Sequence, residues 1–123
     1  YCIEHDTALI AYRPPGAGLL TGKMSPDIDF SRHDTRRGHP NFTPENIRKA
    51  NKFVDSLRPI AQANKVSVPQ LVLSWTLNRP GITCVLTGAM NSAQAIENAK
   101  AANIKLSKKD TNAINTALLE SGF

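Results

Sequence analysis

The chain has 123 residues, enough for one compact domain, and its 41% hydrophobic and 20% charged composition excludes a disordered tail or a fibrous repeat. A net charge of +5 admits nucleic acid, an anionic surface or a phosphorylated small molecule as partner, but no stretch approaches the ~20 apolar residues of a membrane span. Phe30, Phe42, Phe53 and Trp75 fall at packing positions instead of interleaving with basic residues, which argues against a nucleic-acid platform.

Residues 1–6 read as the tail of a helix. They carry no basic n-region, no apolar h-region and no starting Met, so a processed or partial product without a secretion signal is expected. Cys2 and Cys84 lie far apart without metal-ligand spacing, which indicates neither a disulfide framework nor a zinc site and suits a reduced, cytoplasmic setting.

The run Thr7-Ala8-Leu9-Ile10-Ala11-Tyr12 is apolar without alternation, as expected of a strand buried on both faces of a parallel sheet. Arg13-Pro14-Pro15-Gly16 ends it in a tight loop, and residues 23–44 form a long polar segment of the kind used as a lid or binding loop. Thr43-Pro44-Glu45 starts a helix that carries Ile47, Ala50, Phe53, Val54, Leu57 and Ala61 on one face. Pro59 should kink or restart it.

Ser67-Val68-Pro69-Gln70 makes a capping box ahead of a helix apolar nearly all round, which must be substantially buried. Pro80-Gly81 turns the chain into a second strand over residues 82–87, ended by Gly88. Asn91 to Gln94 opens a helix with Ile96 and Ala99 inward, and Ser107 to Asp110 opens a last one with Ile114, Ala117 and Leu118. Alternating strands and helices predict parallel βα units. Two strands alone leave edges and a face uncovered, so missing structure or self-association is expected.

Two constellations can carry chemistry. In Tyr12-Arg13-Pro14-Pro15-Gly16-Ala17-Gly18-Leu19-Leu20-Thr21-Gly22-Lys23, an aromatic can stack on a flat ring, small residues admit phosphate oxygens to the backbone, and Lys23 supplies a cation. The alternative is a Gly/Pro turn with a solvated lysine. In the segment from Gly88 to Asn98 a strand feeds a helix N-terminus, an anion site by its unpaired amides. Gln94, Glu97 and Asn98 share a face able to hydrogen-bond an adenine edge, and an ordinary capped helix is the alternative. Together the two junctions fit the C-terminal face of a barrel, where phosphate sites gather.

At this point the sequence resembles the aldo/keto reductase family over essentially the whole chain. Residues 11–23 resemble its segment after the seventh barrel strand, and residues 85–98 the one after the eighth. Between them, Phe30, Asp34, Arg36, Phe42 and Asn46, then residues 66–75, resemble the potassium-channel-β-like and bacterial stress-protein-like branches. The resemblance implies an α/β fold that is the C-terminal part of a (β/α)₈ TIM barrel, with the last two parallel strands and their helices.

It also implies an NADP(H)-dependent oxidoreductase that transfers hydride to a small carbonyl substrate. Tyr12 would stack on the nicotinamide; Arg13, Pro14, Gly16, Ala17, Thr21 and Lys23 would wrap the pyrophosphate; Arg36 would lie near the adenosine phosphates. Gly88, Met90, Gln94, Glu97 and Asn98 would hold the 2′-phosphoribose and adenine. The chain departs from the pattern at Arg13, where a small polar residue is usual, at Pro15, where leucine is usual, and at Met90, where serine or arginine would meet the 2′-phosphate. These leave the choice between NADP and NAD open.

The family's Asp, Tyr, Lys and His tetrad belongs to the first half of the barrel, before anything in this chain, so no catalytic residue is assigned and the chain alone is expected to be inactive. His5 reads as a helix-end residue, His33 and His39 as solvated loop residues, and Asp27, Asp29 and Asp34 have no evident partner. The other reading is a non-enzymatic nucleotide-binding or protein-interaction module.

Overall fold

The two apolar runs pair with each other, as β1 (Ile10–Tyr12) and β2 (Cys84–Leu86), parallel and in the register Ile10 to Cys84, Ala11 to Val85 and Tyr12 to Leu86. This computed structural model describes residues 1–122. Parallel strands need a crossover, and here it contains α1 (Pro44–Ala63) and α2 (Val68–Leu77); α3 (Ser92–Lys100) and α4 (Lys108–Glu120) follow β2. Beyond the ladder, the Thr83 amide donates to the Leu9 carbonyl at 2.9 Å and the Arg13 amide to the Leu86 carbonyl at 3.0 Å.

Both strands are shorter than the apolar runs at residues 7–12 and 82–87 suggest, and the expectation of burial on both faces is not met. Ile10, Tyr12 and Leu86 are 57%, 67% and 55% exposed, whereas Ala11 and Val85, pointing the other way, are half-buried. The reason is geometric. α2 packs against β2, and no described residue covers the opposite face.

α1 forms where its signals lie. Thr43 caps it by accepting from the Asn46 amide at 3.3 Å, Pro44 needs no donor at the first helical position, and Ile47, Ala50, Phe53, Val54, Leu57 and Ala61 bury one stripe. Pro59 does not end it: the helix runs on to Ala63 with the proline inside. Pro59 and Asp55, whose carbonyl loses its partner, are both exposed, so water can solvate the gap while Leu57 and Ala61 keep both halves on one core.

α2 opens with the full capping box, the Ser67 hydroxyl accepting from the Gln70 amide and the Gln70 side chain accepting from the Ser67 amide at 3.0 Å. Leu71, Val72, Leu73 and Ser74 are buried, and the Ser74 hydroxyl donates to the Ile104 carbonyl at 3.1 Å. Burying a leucine such as Leu71 stabilises by about 1.5–3 kcal/mol. α4 has its own capping box from Ser107 and Asp110 and sends Ile114 into the core formed by Phe53, Val54, Leu57, Ala61, Val68, Leu71 and Val72. Ala117 and Leu118 pack on that core as expected.

α3 corrects another expectation: Ile96 and Ala99 are exposed, Ala99 lining an open cleft of about 410 Å³ with Leu73, Leu77 and Val85 instead of packing against them. The long polar segment after β1 is packed instead of free. Met24 and Phe30 join Leu19, Ile47 and Ala50 in a second core against the first turns of α1. Among the described residues, no helix is long and apolar enough to cross a membrane.

Candidate cofactor-gripping edge

Because the strands are parallel and in register, their C-terminal ends emerge at the same sheet edge, and the loops after Tyr12 and Leu86 start side by side. The first loop begins with Arg13 at φ +51°, its guanidinium 5.1 Å from the centre of the Tyr12 ring. Tyr12 thus presents its ring at the edge with a cation beside it. Pro14 and Leu20 turn inward over a cavity of about 60 Å³ shared with Trp75, Leu71 and Ile114, which seats the loop on the α1–α2–α4 core.

Three successive residues then take left-handed backbone angles: Gly16 at φ +61°, Ala17 at +52° and Gly18 at +97°. Glycine adopts such angles at little cost, but alanine is penalised by roughly 1–2 kcal/mol. Side chains hold the turn. The Thr21 hydroxyl donates to the Gly18 carbonyl at 2.7 Å, and an Arg36 terminal nitrogen donates to the Ala17 carbonyl at 3.3 Å. Lys23 is exposed and makes no ion pair among the described residues.

Arg36 is otherwise committed to Asp34. Its Nε and its other terminal nitrogen donate to the two carboxylate oxygens at 2.9 and 2.6 Å, and its plane lies 4.8 Å from the Phe30 ring. The Arg36 side-chain and backbone hydrogen bonds hold the Asp34 carboxyl down from 3.8 to about 2. The same hydrogen bond to Asp34 raises the Arg36 guanidinium above its ordinary value.

The second loop is tied to α3. Asn98 donates its amide to the Gly88 carbonyl at 3.1 Å, the Gln94 side-chain oxygen accepts from the Met90 amide at 2.8 Å, and Asn91 caps the helix by accepting from the Gln94 amide at 2.9 Å. Met90 projects into solvent, 94% exposed. Glu97 turns elsewhere, its carboxylate accepting from the Ser67 hydroxyl at 2.7 Å at the start of α2.

The structure therefore gathers the predicted residues into two groups. Arg13, Pro14, Gly16, Ala17, Thr21 and Arg36 shape the loop beside Tyr12. Gly88, Met90, Gln94 and Asn98 shape the other, with Glu97 engaged by α2 and Lys23 at the rim. Sequence reasoning left Asp34 and Ser67 without functional partners. The Asp-x-Arg spacing at residues 34–36 was the available signal, since the backbone between them allows the carboxylate to take both the Arg36 amide and its guanidinium.

A model of the aldo/keto reductase family matches residues 1–118. The chain is 32% identical over 118 residues to an aldo-keto reductase of Strobilurus tenacellus, covering 96% of this chain and 35% of that protein. It is 32% identical over 116 residues to the NADP(+) aldo-keto reductase of Schizosaccharomyces pombe, covering 94% and 34%. A glycerol dehydrogenase from Gluconobacter oxydans has a similar structure, with a TM-score of 0.86 at 26% identity over 98% of this chain and 37% of that one. The chain spans about a third of the length of the curated relatives it matches.

Proposed function

This chain belongs to the aldo/keto reductase family of oxidoreductases, and on that premise we propose that it is the NADP(H)-gripping part of a (β/α)₈ barrel, contributing the last two strands and their helices. The observation that carries this reading is the register of Tyr12 beside Leu86, which starts both ligand-bearing loops at one sheet edge. The residues present fit a dinucleotide. Tyr12 offers an exposed ring for a flat base, the left-handed run at Gly16, Ala17 and Gly18 keeps side chains small where phosphates approach, and Lys23 is an exposed cation not taken up by any ion pair among the described residues.

In this role Tyr12 stacks on the nicotinamide, the loop from Arg13 to Ala17 with Thr21 and Lys23 encloses the pyrophosphate, and Gly88, Met90, Gln94, Glu97 and Asn98 border the adenosine end. Bound NADPH supplies hydride to the carbonyl carbon of a small aldehyde or ketone. The chain's own residues bind and orient; none is assigned to proton transfer. A reduced, cytoplasmic setting suits the two free cysteines.

The bare face bearing Ile10, Tyr12 and Leu86 favours a second reading, a protein-interaction module that joins another chain. Fluorescence titration separates the two. Saturable NADPH binding that weakens in Tyr12→Ala supports the cofactor grip, and no binding at millimolar NADPH favours the interaction module.

A further inference from the structure

We infer that Asp34 and Arg36 work as one positioning unit, holding the Ala17 carbonyl so that the loop after β1 keeps the shape that receives dinucleotide. This rests on the cofactor reading of that loop. Three of the five guanidinium N–H donors are already directed: Nε and one terminal nitrogen to the two oxygens of Asp34, and the other terminal nitrogen to Ala17. Asp34 Oδ1 also accepts from the Arg36 backbone amide at 2.9 Å, so side chain and main chain of one residue grip the same carboxylate.

The plane of the guanidinium is fixed as well. It lies on Phe30, which is buried and meets Phe42 edge-on at 5.8 Å, so the pair stands on the second core with its two side chains partly exposed. A Cβ on Gly18 would lie 3.6 Å from the Arg36 terminal nitrogen that reaches Ala17, which shows how closely the loop wraps that side chain. With Asp34 beside it, Arg36 adds almost no net charge toward a phosphate. What it does supply is a donor at the one non-glycine residue of the left-handed run, where the backbone needs holding.

Two substitutions distinguish positioning from direct contact because they predict opposite signs. If Arg36 bound phosphate, Asp34→Asn would release its charge and leave NADPH binding equal or tighter, and Arg36→Lys would largely preserve it. As a positioning unit, both variants lose the two-pronged pairing of guanidinium with carboxylate and both weaken NADPH on the order of tenfold, about 1.4 kcal/mol. Arg36→Lys keeps the cation, so the salt dependence of its binding should stay as in wild type.

Amide hydrogen exchange on the full chain gives a ligand-free readout. The Gly18 and Leu20 amides, which donate to the Pro15 carbonyl at 3.2 and 3.0 Å, should exchange faster in both variants while the amides of α2 stay protected, showing that the fold is intact. Unchanged exchange at Gly18 and Leu20, or tighter NADPH binding by Asp34→Asn, overturns the proposal. Failure of wild type to bind NADPH overturns the cofactor reading and the dinucleotide half of this inference, and the exchange data still decide whether the pair holds the loop.

Discussion

The Ser67 hydroxyl donates to the Glu97 carboxylate at 2.7 Å, joining the first residue before α2 to the middle of α3. Gln70 reinforces the link, its side-chain nitrogen donating to the Glu97 carbonyl at 3.0 Å. One capping box thus fixes a helix start and also the helix that borders the second loop. Ser67→Ala should cost about 1–2 kcal/mol, the upper part of the range for losing an N-cap, and Ser67→Gly less. Urea unfolding of the three proteins checks the order. Equal midpoints for Ser67→Ala and wild type would show that the cap adds nothing.

Gly22 is fixed both by angle and by space. Its φ is +70°, and a Cβ there would lie 2.7 Å from Val54 Cγ1 and 3.1 Å from an Arg58 terminal nitrogen. Arg58 can swing away, but Val54 is fully buried. Gly22→Ala should therefore destabilise by roughly 1–3 kcal/mol, whereas Gly38→Ala, with nothing within 4 Å, should cost only the strain of its own φ of +72°. Thermal melts compare the two, and an equal loss would mean that the Val54 contact relaxes freely.

The pair of Asp34 and Arg36 gives the loop a pH dependence of known sign. The folded carboxyl sits at about 2, below its ordinary 3.8, so its contribution is complete above about pH 4 and is lost as the pH falls through about 2. Asp110, lowered by its hydrogen bond to Ser107, acts in the same direction at the start of α4. Limited proteolysis with an acid-active protease should show residues 13–37 opening between pH 4 and 2 in wild type. Asp34→Asn should already be open at pH 4, and matching profiles would refute the assignment.

At the second loop, Met90 leaves the position nearest the expected 2′-phosphate without charge, and it is almost fully exposed. Met90→Arg should tighten NADPH by about fivefold to tenfold and leave NADH unchanged, in line with a charge-assisted contact at an exposed site. Lys23→Ala should weaken both cofactors more than Gln94→Ala does, since a charged contact outweighs a neutral one. Parallel titrations of both nucleotides test the ordering; a Met90→Arg variant with equal gains for both would place the 2′-phosphate elsewhere.

The uncovered sheet face predicts association of the isolated chain. Ile10, Tyr12 and Leu86 are exposed beside two strand edges, an arrangement that invites pairing. Light scattering should show species larger than one chain, and Leu86→Lys should shift them toward monomer. A monodisperse monomer for wild type would mean that this face tolerates water.

The sequence alone determined the parts of this protein that depend on neighbours within a turn or two. The caps at Thr43, Ser67, Asn91 and Ser107, the buried stripe of α1 and the mostly apolar α2 were legible because capping and helical periodicity act over three or four residues. The tertiary structure decided what depends on distant chain. It set the register of β1 on β2, carried α1 through Pro59 by anchoring both sides on one core, left Ile96 and Ala99 uncovered, and turned Glu97 toward Ser67. It also sorted the cations, leaving Lys23 at the rim and binding Arg36 to Asp34, Ala17 and Phe30. A lysine or arginine in a polar stretch reads the same in either case. Only the packing of that stretch against α1 fixes which donors still face solvent, because a hydrogen bond between residues 19 positions apart has no periodicity to announce it.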